Sequence, residues 1–84
     1  MNPRVKKVEP LDDFTILITF ENGEERSFDV KPYLNKGIFT KLKNLNSFKS
    51  VHVAEGTVRW ENEADFCPDT LFEDSVPYKK QIRK

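Results

Sequence analysis

The sequence predicts a small α+β fold in a single domain: an antiparallel β-meander plus a second β-hairpin with short helices. Three observations support this fold class. Every second residue from Phe14 to Phe20 is large and apolar, which is typical of a strand with one buried face. The Asn22-Gly23 pair that follows is a strong hairpin signal. After Val30 the apolar residues recur at three- to four-residue spacing, which indicates short helices.

The first predicted element is a strand over residues 4–9. Val5 and Val8 have opposite parity in it, so both can face the core only if a β-bulge lies at the two lysines between them. A turn over residues 11–13 leads from this strand into the hairpin. Residues 4–30 are therefore predicted to form a three-stranded antiparallel meander.

The turn of the hairpin allows two registers. A two-residue loop would set Ile16 opposite Asp29, whereas a three-residue loop over residues 21–23 sets it opposite Phe28 and gives Gly23 a left-handed backbone in a G1 bulge. Apolar cross-strand pairs contribute roughly 0.2 to 1 kcal/mol each, so the second register is predicted. Its pairs are Phe14 with Val30, Ile16 with Phe28, and Ile18 with Arg26.

Three short helical turns are predicted between the two hairpins. Pro32 begins the first, and Gly37 stops it as a C-terminal cap. Residues 38–44 form the second, with apolar side chains inward and lysines outward. The third is capped by Asn46 or Ser47.

The second hairpin is predicted over residues 51–60, with a two-residue loop at Glu55-Gly56. Its apolar face carries Val51, Val53, Val58 and Trp60, and the other face carries His52 and Arg59. Tyr33, Phe39 and Trp60 are expected in the core and not as stacking platforms for bases.

The last part of the chain holds a turn, a short strand and a helix, over residues 61–63, 64–67 and 68–74. Pro68 takes the first helical position, and acidic residues lie near the positive end of the helix. The domain is expected to span residues 4–75. The basic stretch over residues 76–84 is expected to be a loosely ordered tail.

Composition favours a cytoplasmic protein. No run of residues approaches the roughly 18 apolar residues of a membrane span, and no apolar stretch follows the N-terminus as in a signal peptide. The single Cys67 can form no internal disulfide, whereas a small secreted domain normally has several. The ten aromatic residues supply core-forming side chains despite a charged fraction of 33%.

Charge is unevenly distributed, although the formal net charge is zero. Residues 31–53, the lysine segment, contain five lysines and no acidic residue, whereas residues 54–75 carry a net charge of minus six. A positive patch without acids is the footprint of a phosphate backbone or of an acidic protein partner. The candidate binding residues are Lys31, Lys36, Lys41, Lys43 and Lys49.

Three interpretations of the lysine segment stay open: a nucleic-acid site, a protein-binding site and the solvated face of short helices. The segment has no Arg, the residue that best makes bidentate contacts to bases. The zero net charge also disfavours tight non-specific binding to nucleic acid. A protein partner is therefore preferred over nucleic acid.

Catalytic and zinc chemistry find little support. Nucleophilic catalysis needs a Cys or Ser beside a base, but Cys67 and His52 fall on different predicted strands. The position of Cys67 between Phe66 and Pro68 is typical of a half-buried structural thiol. A structural zinc site needs four Cys or His ligands, and the chain has one of each. No enzyme activity is predicted.

The acidic residues after the second hairpin are a weak candidate for Mg²⁺ or Ca²⁺. Glu61, Glu63 and Asp65 alternate, and Asp69 follows a turn later, so their carboxylates could share one side of an extended segment. The spacing of a calcium-binding loop is missing. A solvated edge that repels edge-to-edge strand pairing explains these residues equally well. No metal and no cofactor is assigned.

Several sequence blocks occur in an order that resembles a known family. The blocks are Val-Glu-Pro-Leu-Asp-Asp, Leu-Ile-Thr-Phe-Glu-Asn-Gly-Glu, Ser-Phe-Asp-Val, Gly-Ile-Phe, Thr-Val-Arg-Trp and Pro-Asp-Thr-Leu-Phe. Over residues 4–75 they resemble the bacterial family called domain of unknown function 2442. That family commonly continues Trp-Pro-Asn-Gly-Ala-Asp, whereas this chain has Trp-Glu-Asn-Glu-Ala-Asp from Trp60 to Asp65 and so lacks the Pro and Gly of the family turn.

The resemblance implies a small α+β domain and carries over no catalytic residue. Members are often encoded beside another very small gene, which implies a protein partner in the manner of a toxin and antitoxin pair. We therefore expect a non-enzymatic protein–protein interaction module. The alternative is a nucleic-acid-binding accessory or regulatory protein that uses the lysine segment.

Overall fold

The computed structural model describes residues 2–78. The strands are β1 (Val5–Pro10), β2 (Thr15–Phe20), β3 (Glu25–Asp29), β4 (His52–Ala54), β5 (Thr57–Arg59) and β6 (Val76–Pro77). The helices are two 3-10 helices (Lys31–Tyr33 and Gly37–Lys43), α1 (Leu45–Phe48) and α2 (Pro68–Asp74). The predicted α+β class, with a meander, a second hairpin and short helices, is confirmed.

A four-stranded antiparallel sheet in the order β1-β2-β3-β6 forms one layer of the molecule. The β4–β5 hairpin and the helices form the other layer and bury Ile16, Ile18 and Phe20 of β2 completely. The opposite face of β2 carries Thr15, Leu17 and Thr19, which are half-buried. Two layers explain the shape, which is only 18 Å thick along its shortest axis.

The register predicted for the first long hairpin is confirmed. Ile16 lies opposite Phe28, and Ile18 lies opposite Arg26. The Val30 N–H donates to the Phe14 carbonyl at 3.0 Å, so the pairing continues to the end of the hairpin. Gly23 has a φ of +90°, as the three-residue loop requires.

The bulge in β1 is confirmed as well. The register shifts between Val5 and Lys7, which lie opposite Phe20 and Thr19. As a result Val5 is buried and Val8 packs against the core although their parity differs.

Three loops of the molecule share one geometry, which the sequence revealed for only one of them. In each loop the third residue is left-handed: Phe14 (φ +64°), Gly23 (φ +90°) and Glu63 (φ +71°). In each loop the N–H of the third residue donates to the carbonyl of the residue before the loop. In each loop an Asp or Asn at the second position accepts from the N–H two residues on, at 3.0 to 3.2 Å. The loops are residues 12–14, 21–23 and 61–63.

The helical region between the hairpins differs from the prediction in two ways. Gly37 begins the second 3-10 helix and does not end the first, which stops at Tyr33. The cap of α1 is Asn44, not Asn46 or Ser47, because its Oδ1 accepts from both of those backbone N–H groups, at 2.9 and 3.3 Å. The cap lies before the first helical residue, where free N–H groups need an acceptor.

The second hairpin has the predicted two-residue loop, with positive φ at Glu55 and Gly56. Val53 lies opposite Val58, and His52 lies opposite Arg59. Val58 is fully buried, but Val53 is exposed. The two residues share one face of the hairpin, so the prediction that this whole face is buried is wrong at Val53.

Residues 64–78 differ from the prediction in two places: one expected strand is nearly absent, and one unexpected strand is present. The expected strand over residues 64–67 is reduced to the single bridge between Arg59 and Asp65. The expected helix over Pro68–Asp74 is confirmed. Val76–Pro77, which fell in the expected tail, pair with Ser27 and Arg26 as the fourth strand of the sheet. Residues 79–84 of that predicted tail lie outside the described residues.

Trp60 is the centre of the core. Its side chain is 1% exposed, and its Nε1–H donates to the Phe48 carbonyl at 2.8 Å. Val51 is buried with it, as predicted. The Phe66 ring contacts Tyr33, Phe39 and Trp60, with ring centroids 4.8 to 5.8 Å apart. These aromatic residues are therefore structural and are not exposed stacking platforms.

Candidate functional site

The lysine segment contains no acidic residue, but the fold brings acidic side chains from other segments close to two of its lysines. Lys31 Nζ lies 3.0 Å from Asp29 Oδ1 and donates to the Asp13 carbonyl at 3.2 Å. Lys49 Nζ lies 3.1 Å from Asp12 Oδ1. Asp12 lies in the loop between β1 and β2 (residues 12–14), and Asp29 lies at the end of β3, so these two elements bring the carboxylates to the segment. Two of the five candidate lysines therefore have acidic neighbours that reduce their local charge.

The other three lysines, which we call the lysine patch, are Lys36, Lys41 and Lys43. None of them forms an ion pair with a carboxylate of residues 2–78. The Lys36 ammonium lies 5.8 Å from the centre of the Tyr33 ring, within the range of a weak cation–π contact. The positive charge of the segment is thus concentrated on and just before the Gly37–Lys43 3-10 helix.

The geometry of that 3-10 helix decides which side chains lie at the surface. Residues three apart eclipse one another in a 3-10 helix. Phe39 and Leu42 share the inward row, and Leu42 is 1% exposed. Ile38 and Lys41 share an outward row, and Ile38 is 48% exposed. The prediction that Ile38 faces inward assumed α-helical spacing and is wrong for this reason.

A cavity of about 280 Å³ lies beside the Ile38–Lys41 row. It is lined by Lys41, Leu42, Ser47, Ser50, Glu61 and Asn62. We call this cavity together with Ile38 and Lys41 the Ile38 surface. Leu42 supplies an apolar part of the lining, and the remaining residues are polar.

Hydrogen bonds fix the walls of the cavity. The Asn62 side-chain amide donates to the Ile38 carbonyl at 3.0 Å, which ties the loop after β5 to the 3-10 helix. Ser50 Oγ donates to the Ser47 carbonyl at 2.7 Å and accepts from the Glu61 N–H at 3.1 Å. The Ile38 surface is therefore built from three segments that are joined to one another, which suits a preformed binding surface.

The acidic residues after the second hairpin are not brought together as ligands. Asp65 Oδ2 lies 3.7 Å from Arg59 Nη2, and Asp69 Oδ1 accepts from the Asn2 amide at 3.0 Å. Within residues 2–78, no group of three or more His, Cys, Asp or Glu side chains is arranged to hold a metal ion.

Cys67 and His52 are both exposed. The prediction of a half-buried thiol is wrong because Ala64 and Phe66 turn inward and the next residue, Cys67, faces solvent at the start of α2. His52 Nδ1 lies 3.1 Å from the Ser50 carbonyl.

Sequence reasoning identified the lysines but missed Ile38 and the cavity. A signal for Ile38 was available, since Ile38 and Phe39 are adjacent and a short helix cannot bury both. The cavity gave no sequence signal, because its lining comes from three separate segments.

Comparisons with known proteins give a single result. A family model described as "Protein of unknown function (DUF2442)" matches residues 5–77. Curated proteins and solved structures give no match to the chain. None of the helices within residues 2–78 has the length and apolar character needed to cross a bilayer.

Proposed function

The chain belongs to the DUF2442 family, and on that premise we propose that it is a non-enzymatic protein–protein interaction module. It acts in the bacterial cytoplasm, with a partner encoded by a neighbouring small gene in an antitoxin-like pair. The family resemblance motivates the pairing of two genes. The Ile38 surface supplies the physical argument for protein binding.

The observation that carries the proposal is the exposure of Ile38 beside the lysine patch. Fully burying an Ile side chain contributes about 1.5 to 3 kcal/mol, and Ile38 is 48% exposed, so a partner that covers it gains part of this energy. Ile38 is an aliphatic residue beside a cavity, and a hydrogen bond from Asn62 holds its backbone in place. Such a residue resembles the central anchor of an interface. Lys36, Lys41 and Lys43 would then form its charged rim.

This arrangement favours one kind of partner: an acidic protein surface that also presents an apolar side chain. Carboxylates of the partner would face the lysine patch and speed the encounter, since rim charges act mainly on association rate. The apolar side chain would contact Ile38 or enter the cavity. A nucleic acid would use the lysines but would leave Ile38 without an apolar contact.

The test begins with co-purification of the tagged full chain from its native host, followed by mass spectrometry. The copurified protein should be recovered with the parent chain and with a Lys31→Ala/Lys49→Ala control, whose lysines already have acidic neighbours. Its recovery should fall with a Lys36→Ala/Lys41→Ala/Lys43→Ala variant. Equal recovery with all three chains would show that the lysine patch takes no part in binding.

The alternative function is nucleic-acid binding through the same three lysines, none of which forms an ion pair with a carboxylate of residues 2–78. Affinity for DNA and RNA is measured by fluorescence anisotropy at several salt concentrations. Contact with phosphates would give a slope of about 0.9 per phosphate in a plot of log affinity against log salt. The proposal predicts no measurable affinity at moderate salt. Binding that the triple variant loses without a change in melting temperature would favour the alternative.

A further inference from the structure

Within residues 2–78, one face of the four-stranded sheet is left uncovered. This open face consists of the outward side chains of β1, β2, β3 and β6. The helices and the β4–β5 hairpin bury the other face. The open face contains exposed apolar side chains, since Val76 is 57% and Tyr78 36% exposed. Leu17 lies at its centre on β2 and is half-buried.

Strand register arranges the open face in rows across the sheet. Lys7 lies opposite Thr19, and Thr19 lies opposite Glu25, so a positive and a negative side chain flank β2 in one row. Tyr78 extends this row, because its N–H donates to the Glu25 carbonyl at 2.9 Å. The next row consists of Glu9, Leu17, Ser27 and Val76. A trough of about 190 Å³ lies along these residues, with Leu17 and Thr19 in its lining.

We propose that the open face binds the open face of a second copy of this chain. A two-fold axis parallel to β2, in the plane between the two sheets, exchanges the β1 and β3 sides. Lys7 of each copy then lies over Glu25 of the other, and Leu17 lies over Leu17. Sheets packed face to face lie about 10 Å apart with nearly aligned strands, a distance that Lys and Glu side chains can bridge together.

Charge complementarity favours a second copy of this chain as the partner that binds the open face. The Lys7–Thr19–Glu25 row is complementary to itself under this axis, which is the condition for a symmetric dimer. The formal net charge of the chain is zero, so two copies do not repel each other as whole molecules. The Ile38 surface lies on the other layer of the molecule, so the dimer and the partner proposed above do not compete.

Sedimentation velocity and light scattering of the full chain test the dimer between about 1 µM and 1 mM. The mass should rise with concentration from 9.9 kDa toward twice that value. Leu17→Arg should hold the mass at that of one chain. A chain that stays at 9.9 kDa over the whole range would overturn the proposal.

Charge reversal tests the arrangement without touching the core, because Lys7 and Glu25 are exposed. Lys7→Glu and Glu25→Lys should each weaken the dimer at least about tenfold, since each sets like charges face to face twice. An equimolar mixture of the two variants should restore it, because each changed side chain then faces one of opposite sign. Failure of the mixture to restore the dimer would contradict this arrangement.

Glu9→Lys is the matched control. Glu9 lies on the same face and carries the same charge as Glu25, but under the proposed axis it does not face Lys7. Glu9→Lys should therefore leave the dimer nearly unchanged. If Glu9→Lys alone weakened the dimer as much as Glu25→Lys does, Lys7 would face Glu9, which would place the axis across the strands and overturn the arrangement. At a concentration where the parent chain is monomeric, the thermal melts of all three reversals should match that of the parent chain.

Discussion

Phe14, Gly23 and Glu63 occupy the same backbone position in three different loops, although only one of them is glycine. A left-handed backbone costs a non-glycine residue roughly 1 to 2 kcal/mol. At Phe14 the ring compensates by packing edge-on against Phe48, with centroids 5.2 Å apart. Glu63 is exposed. The strain at Glu63 therefore has no comparable packing to offset it.

Glu63→Gly is expected to stabilise the fold. It relieves the left-handed strain, and the greater freedom of glycine in the unfolded chain cancels about 0.5 to 1 kcal/mol of that gain. The free energy of unfolding should therefore rise by about 0.5 to 1 kcal/mol, which corresponds to a rise of roughly 3 to 6 °C in Tm. Thermal denaturation of the purified chain measures it.

Glu63→Ala is the control for this change, since it removes the charge but keeps the strain. Equal stabilisation by Ala and Gly would show that charge repulsion, not backbone strain, is the cause.

Phe14→Gly should have the opposite effect on stability from Glu63→Gly. It should destabilise the fold by about 2 kcal/mol or more, because it removes a core-packing ring.

Among the elements, those governed by two-residue periodicity were predictable from the sequence. The register of Ile16 with Phe28 and the bulge between Val5 and Lys7 followed from the parity of the apolar residues. Of the three equivalent loops, only that of Gly23 was recognised with its geometry, because glycine marks a left-handed position. The shared acidic-Asx pair at the first two positions was a second signal that could have revealed the other two.

The helical elements and the surroundings of the lysines were harder to predict. A 3-10 helix turns 120° per residue instead of 100°, which moved Ile38 from the core to the surface. The acidic neighbours of Lys31 and Lys49 come from β3 and from the loop between β1 and β2. The partner of Lys49, Asp12, is distant in sequence, so counting charges along the lysine segment could not show this contact.

The capping of α1 gives a prediction at this scale. Asn44→Ala should destabilise the fold by about 1 kcal/mol, because its Oδ1 accepts from two backbone N–H groups. Asn46→Ala is the matched control and should change stability by less than about 0.5 kcal/mol. Urea denaturation of both variants distinguishes them. A larger effect at Asn46 would contradict the observed cap.

At the scale of the whole molecule, the two-layer architecture separates the core from the two surfaces proposed for interaction. One face of the sheet and the inward residues of the second layer form a single core around Trp60. Two outer surfaces then remain, the open face of the sheet and the Ile38 surface. A chain of this size thus has room for the two proposed surfaces, but its stability depends strongly on its one core.

Trp60→Ala should therefore cost roughly 3 to 5 kcal/mol, a large share of the 5 to 15 kcal/mol typical of a folded domain. Circular dichroism should show a largely unfolded chain at moderate temperature. Trp60→Phe should be milder, because it keeps most of the packing and loses the hydrogen bond to the Phe48 carbonyl. A Trp60→Ala chain that melts within a few degrees of the parent would contradict the central place of Trp60 in the core.

The affinity of the copurified partner for an Ile38→Asp chain tests the proposed function most directly. Val53→Asp is the matched control, since Val53 is also an exposed aliphatic residue, 38% against 48%, but lies on β4. Isothermal titration calorimetry with the purified partner should give a Kd at least about tenfold weaker for Ile38→Asp, a change of about 1.4 kcal/mol. Val53→Asp should bind like the parent chain. Equal affinities for all three chains, with unchanged melting temperatures, would contradict binding through the Ile38 surface.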